Sequence, residues 1–123
     1  MEYFFSKEHE WVRISGTTAT VGISNHAAHE LGDVTFVELP QVGTVVKQFD
    51  MLGSIESVKA ASDIYTPVSG KVIAVNETLE TTPEVVNESP EESGWICVLE
   101  VADAGDLANL MSRTAYEQYL KSL

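Results

Sequence analysis

Few side chains in this sequence could carry chemistry, and Lys59 is the most conspicuous of them. It lies in Gly53-Ser54-Ile55-Glu56-Ser57-Val58-Lys59-Ala60-Ala61-Ser62-Asp63-Ile64-Tyr65, where Glu56 and Asp63 are the only other charges. An amine with a pKa of about 10.4 is protonated near neutrality and attacks poorly unless something deprotonates it. No neighbour in this segment does so. Lys59 therefore reads as an acceptor for a modifying enzyme rather than as a catalyst. The ordinary alternative is a surface lysine. The sparse local charge and the strand-like runs on both sides weigh against it.

Other candidates are weaker. Cys97 is the sole cysteine and sits in the apolar run Trp95-Ile96-Cys97-Val98-Leu99. It can form no intramolecular disulfide and reads as a buried, inert thiol. His9-Glu10 and His29-Glu30 begin like a zinc-binding HExxH, but Arg13 and Asp33 occupy the second histidine positions. His26 and His29 could share a face of a short helix, yet two ligands without a third make a thin metal site. A metalloenzyme built on them is the remaining enzymatic reading. The phosphate-binding and nucleophile-elbow glycine motifs are missing. Glu91-Glu92 reads as a solvated loop. Asn76-Glu77-Thr78 and Asn87-Glu88-Ser89 match the glycosylation triplet, but no export signal accompanies them, so both read as incidental.

The chain has 123 residues, which favours one domain with its own core. Nineteen acidic residues against seven basic ones give a net charge of −12. Such a surface repels phosphate backbones and anionic membranes, excluding nucleic-acid and membrane partners, and attracts basic protein surfaces or simply confers solubility. No apolar run approaches the ~18 residues of a membrane span, and the first residues resemble neither a signal nor an Arg-rich transit peptide. The expectation is a soluble cytoplasmic protein, or a mitochondrial-matrix one if a transit peptide has been removed.

The elements that would position Lys59 are mostly strands. Glu10–Ile14 and Thr17–Ile23 flank the turn signal Ser15-Gly16 and form a hairpin. Ser24 caps a helix over 25–31 that Gly32 ends. Asp33–Leu39 alternates, with Val34, Phe36 and Glu38 on one face and Thr35, Val37 and Leu39 on the other, and Pro40 stops it. A turn at Gly43 and a short strand Thr44–Val46 follow. Met51–Ile55 and Ile64–Val68 then bracket Lys59 as the arms of a hairpin whose tip displays it. Lys71–Val75 and Trp95–Val101 are further strands, and Glu84–Glu88 forms one helical turn with Pro83 at its first position. Toward the C-terminus Leu107, Leu110 and Met111 share a helical face, and Ala115, Tyr116, Tyr119, Leu120 and Leu123 form a stripe for core or partner. The segments Val45–Ile55 and Tyr65–Val75 flank Lys59 almost symmetrically, as two similar halves would. Many short strands divided by turns imply a mostly β barrel or sandwich with peripheral helices.

Several motifs in order resemble the glycine cleavage system H proteins, a lipoyl-carrier family. Glu56-Ser57-Val58-Lys59-Ala60-Ala61-Ser62-Asp63, followed by Pro67-Val68-Ser69-Gly70, is similar to that family's lipoyl-attachment segment. His9-Glu10-Trp11-Val12, Val21-Gly22-Ile23, Leu31-Gly32-Asp33, Phe36 to Pro40, Val75-Asn76-Glu77, Pro83 to Asn87 with Pro90, and Gly94-Trp95 resemble its other blocks. The resemblance covers nearly the whole chain. Two departures stand out: Glu91 replaces a common aromatic, and Cys97 a longer side chain.

The resemblance implies a single lipoyl-carrier domain over residues 1–123. Its fold would be a flattened β-barrel or barrel-sandwich hybrid with short peripheral helices, a C-terminal helix, and the modified lysine on a hairpin at about 53–68. It implies lipoic acid in amide linkage on Lys59. Biotin is the near rival, but biotinyl domains usually bracket their lysine with methionines, not Val58 and Ala60. The implied role is carriage, not catalysis. The arm takes an aminomethyl group from a pyridoxal-phosphate-dependent glycine decarboxylase (P protein) to a tetrahydrofolate-dependent aminomethyltransferase (T protein), and dihydrolipoamide dehydrogenase (L protein) reoxidises it. Glu56 is the candidate for recognition by the lipoylating enzyme, and Asp63 and Glu10 for holding the ammonium of the loaded arm. The alternatives are a relay protein donating lipoate to other acceptors and an acidic interaction domain with unmodified Lys59.

Overall fold

The computed structural model describes residues 2–123. Its centre is the hairpin of β2 (Glu10–Ser15) and β3 (Thr18–Ile23), closed by Gly16 at φ 62° as the turn signal predicts. Val12 pairs with Val21 and Ile14 with Ala19, and Val12, Ala19 and Val21 are fully buried. On the opposite face, Trp11 stands across from Gly22. The indole occupies the space that a side chain at Gly22 would need: a Cβ there would lie 2.6 Å from the ring. The Trp11 N–H donates to the Pro90 carbonyl at 3.0 Å, tying the loop after Ser89 to the sheet.

Around this hairpin runs a seven-stranded sheet, completed by β1 (Tyr3–Phe5), β5 (Val45–Val46), β8 (Gly70–Val75), β9 (Cys97–Val101) and β10 (Met111–Ser112) in the order β10-β1-β2-β3-β9-β8-β5. A second sheet holds β4 (Val34–Glu38), β6 (Met51–Ser57) and β7 (Ala61–Tyr65) in the order β4-β6-β7. The aliphatic core contains Val21, Val72 and Leu99 from the large sheet and Val37, Ile55 and Ile64 from the small one. The two sheets do not close into a continuous barrel. The mostly β architecture is the one the strand pattern implies, and the barrel-sandwich hybrid is the one the resemblance implies. Cys97 is fully buried in it, and burial pushes its thiol pKa up to about 12.

Two strand expectations change. In β4, Val34 and Val37 are both buried while Phe36 is exposed, because the register with β6 shifts between Val34 and Phe36. An irregularity of this kind breaks the period of two and rotates later side chains to the other face. The arm after Lys59 is Ala61–Tyr65 rather than Ile64–Val68. Ala61, Ser62 and Asp63 are all exposed and show no apolar alternation, so their strand character comes from pairing with β6. Past Tyr65 the chain turns, with Thr66 Oγ1 donating to the Val68 carbonyl at 2.6 Å across Pro67.

Helix α1 (Asn25–Leu31) has the expected boundaries. The Ser24 hydroxyl accepts from Ala27 N–H at 3.1 Å, and Gly32 ends it at φ 73°. The short helix α2 (Thr78–Thr81) lacked any sequence signal, and α3 (Val85–Glu88) begins two residues beyond Pro83. At the C-terminus Leu107 lies in a 3-10 helix (Ala104–Asn109), but Met111 is in β10 and shares no helical face with it. Ser112 caps α4 (Arg113–Lys121), where Tyr116 is buried and stacks on Phe5 with ring centres 4.4 Å apart. Tyr119 and Leu120 are half-buried, whereas Ala115 and Leu123 are exposed and leave the expected stripe. The Phe5–Tyr116 stack sets which face of α4 turns inward.

The Trp11–Gly22 contact gives a direct test of packing. Gly22→Ala forces the indole aside and is expected to cost about 1–3 kcal/mol of stability, the usual range for overpacking, measured by urea unfolding.

Candidate functional site

Strands β6 and β7 meet at a tip formed by Val58-Lys59-Ala60. Ser57 organises it: its N–H donates to the Ala60 carbonyl at 2.8 Å, and its hydroxyl oxygen accepts from Lys59 N–H at 3.2 Å and Ala60 N–H at 3.1 Å. A hydroxyl folded back on its own turn in this way holds the loop without large side chains. Val58 N–H donates to the Asp33 carbonyl at 3.0 Å, fastening the tip to the connection between α1 and β4. The stem of Lys59 lies over Gly32, where an added Cβ would come within 3.0 Å of its Cε. Lys59 itself is exposed.

The Gly32–Val34 connection has its own support. Asn87 Nδ2 donates to the Gly32 carbonyl at 2.8 Å, and Asn87 Oδ1 accepts from Val34 N–H at 2.8 Å. The glycosylation-triplet asparagine, which looked incidental, is thus a bridge from α3 to the far end of α1.

Beside the tip opens a cleft of about 370 Å³. Ala60 and Ala61 line it, as do the acidic residues Glu8, Glu10, Glu30 and Asp63, while Ile55, Ile64 and Leu31 supply apolar surface. Asp63 is exposed on β7. Glu10 is buried, only 2% exposed; one carboxyl oxygen accepts from the Ser6 hydroxyl and the other from Tyr65 N–H at 3.2 Å. Burial raises its pKa to about 7, against the downward pull of those two hydrogen bonds. Glu56 is exposed and lies outside this lining, on the opposite side of the β6 pleat from Ile55. Asp63 and Glu10 therefore both border one cleft next to Lys59 and Glu56 does not, although Asp63, paired with Ser54, projects from the same face of the hairpin as Glu56.

Several cleft features lacked a sequence signal. Tyr116 OH lies 2.7 Å from His9 Nδ1 and 2.7 Å from Ser24 Oγ, linking α4 to the cleft wall and to the α1 cap. Burial lowers the His9 pKa, and the neighbouring His26 ring, 4.7 Å away, lowers it further. His26 turns into this cleft, 3.8 Å from Glu30, whereas His29 lines another with Asn25 and Asp33. The two histidines therefore do not converge on a metal, and no cluster of three His, Cys, Asp or Glu groups able to hold one occurs among the described residues. Glu91 is no solvated loop residue. Its carboxylate accepts from Asn25 N–H and from the Arg113 guanidinium, both at 2.8 Å. These partners lie 66 and 22 residues away in sequence, so no local pattern announces them.

A family model described as Glycine cleavage H-protein matches residues 3–123. A Thermotoga maritima protein named glycine cleavage system H protein is 50% identical over 115 residues, covering 94% of this chain and 93% of its own length. One of the same name from Bacillus licheniformis is 49% identical over 120 residues, covering 98% and 94%. The crystal structure of a glycine cleavage system H protein from Mycobacterium marinum matches with a TM-score of 0.89 at 29% identity, covering 98% of this chain and 97% of that one. By sequence along its whole length and by fold, the chain belongs to the glycine cleavage H-protein family.

Proposed function

We propose that Lys59 carries lipoic acid in amide linkage and presents it to the enzymes of glycine cleavage. Membership of the family supports a lipoyl-carrier role in that system, and in this reading the chain is a carrier rather than an enzyme. The observation that supports Lys59 is its place: an exposed amine on a tip fastened by Val58 to Asp33, next to a cleft of about 370 Å³ bordered by four acidic residues. The exposed tip leaves room for the group, and the cleft offers it both apolar and acidic surface. When bound, lipoic acid supplies a dithiolane that accepts and releases the one-carbon unit.

The chain's own residues tether, present and shelter. One covalent tether keeps the arm at high effective concentration for each successive partner. In this reading the partners are the glycine decarboxylase, the aminomethyltransferase, dihydrolipoamide dehydrogenase and a lipoylating enzyme. The net charge of −12 would steer basic surfaces of those partners toward it. Glu56, exposed and outside the cleft lining, is available to the lipoylating enzyme. Asp63 and Glu10 would hold the ammonium of the loaded arm by charge-assisted hydrogen bonds. The whole chain acts as one carrier domain in this account. Its compartment would be the cytoplasm, or the matrix in a mitochondriate cell. Among the described residues no helix is long and apolar enough to cross a membrane.

Incubation with a lipoylating enzyme and lipoate should add one lipoyl group by intact mass, and Lys59→Arg should add none. Neutralising the amine takes the formal charge from −12 to −13. An unmodified wild-type chain, under conditions that modify another lipoyl domain, would refute the assignment. Protection of the loaded arm should also depend on pH. Glu10 is protonated below about 7 and ionised above it, so its hold on an ammonium strengthens as pH rises through that value. The ratio of arm hydrolysis rates, Glu10→Gln over wild type, should therefore grow from pH 6 to pH 8 by up to roughly tenfold, the worth of a charge-assisted bond. A flat ratio would remove Glu10 from this role, and an unchanged rate in Asp63→Asn would remove Asp63.

A further inference from the structure

Lys59 sits on a tip, but what fixes that tip lies 28 residues further along the chain, on α3. The chain leaves α1 with Gly32 at φ 73° and bends at Asp33 before β4 begins at Val34. The Gly32 carbonyl and Val34 N–H point toward Asn87, which takes both. The Asp33 carbonyl between them receives Val58 N–H from the tip. The Asn87 amide thus brackets Asp33, offering one donor and one acceptor side by side. A carboxamide has this pairing within one small group; a carboxylate has only acceptors.

We infer that Asn87 is a positioning residue for Lys59, acting through Gly32, Asp33 and Val58. The inference rests on the reading of Lys59 as the attachment site. The same bridge sets the height of Gly32, the surface on which the Lys59 stem lies. Without the Asn87 amide, two main-chain groups lose their partner and the Asp33 carbonyl is free to drift. The tip then keeps Ser57 and the strand pairing on either side of it, but its own bond from Val58 ends on an unbraced carbonyl. A lysine that must meet a reacting group in a modifying enzyme is sensitive to small displacements.

The test separates position from stability. Amide hydrogen exchange at Val58 and the kinetics of lipoyl transfer are measured for wild type, Asn87→Ala, Asn87→Asp and Val86→Ala. Val86 is fully buried on the same helix and takes no part in the bridge. Asn87→Ala should speed Val58 exchange by roughly tenfold, the effect of losing one hydrogen bond. It should also lower kcat/KM for lipoyl transfer by about tenfold, through KM, because the tip must be ordered on binding. Asn87→Asp keeps the acceptor for Val34 N–H, loses the donor to Gly32, and should fall between; it also carries the test if Asn87→Ala does not fold. Val86→Ala should lower Tm at least as much, yet leave Val58 exchange in the native state and the transfer KM unchanged. Wild-type exchange and KM in both Asn87 variants would overturn the inference, as would an equal KM rise in Val86→Ala. A wild-type chain that accepts no lipoyl group would instead overturn the attachment reading, while Val58 exchange still reports on the bridge.

Discussion

The carboxyl of Glu10 closes the seam between the two sheets. Glu10 begins a strand of the large sheet, and its side chain accepts the N–H of Tyr65, which ends an edge strand of the small one. An edge strand's unpaired N–H groups need partners wherever water is excluded. Here a side chain supplies the partner that a further strand would otherwise give. Burying a carboxyl is costly, and hydrogen bonds from Ser6 and Tyr65 offset part of that cost. The remainder shows as a pKa raised to about 7. The group that joins the sheets therefore changes charge at physiological pH, and it does so in the wall of the cleft.

Helix α1 forms another wall and is held at both ends by residues remote in sequence. At its start, Ser24 caps the helix and meets Tyr116 of α4, while Glu91 accepts from Asn25 N–H and pairs with Arg113. At its end, Asn87 holds Gly32 and Val34. The C-terminal helix is thus coupled to the cleft through Tyr116, which also touches His9 beside Glu10. A seven-residue helix has little stability alone. These contacts hold it in place at both ends.

Much of this was legible in the sequence because it is local. The Gly16 turn, the Ser24 cap and the Gly32 stop are one-residue signals with one physical meaning each, and they place β2, β3 and α1 correctly. The exposed Lys59 tip follows from small residues between two strands. What was not legible depends on distance or on irregularity. The register shift after Val34 defeats a period-of-two reading of β4. The exposed strand Ala61–Asp63 has no pattern of its own and is a strand only because β6 is there. Glu91, Tyr116 and Asn87 find their partners far along the chain, so a solvated loop, an apolar stripe and an incidental triplet were the natural local readings. In the site, Asp63 and Glu10 do fall in one cleft, but the burial of Glu10 comes from the meeting of two sheets.

The bond from Val58 to Asp33 also bears on modularity. Residues 51–65 look like a self-contained cassette, a hairpin with its acceptor at the tip. Cut out or grafted elsewhere, that cassette leaves behind the carbonyl that orients the tip and the glycine surface under the lysine stem. The recipient would gain the right residues in the right order, but not their posture. The transplantable unit is larger: the hairpin together with the end of α1 and the asparagine that braces it.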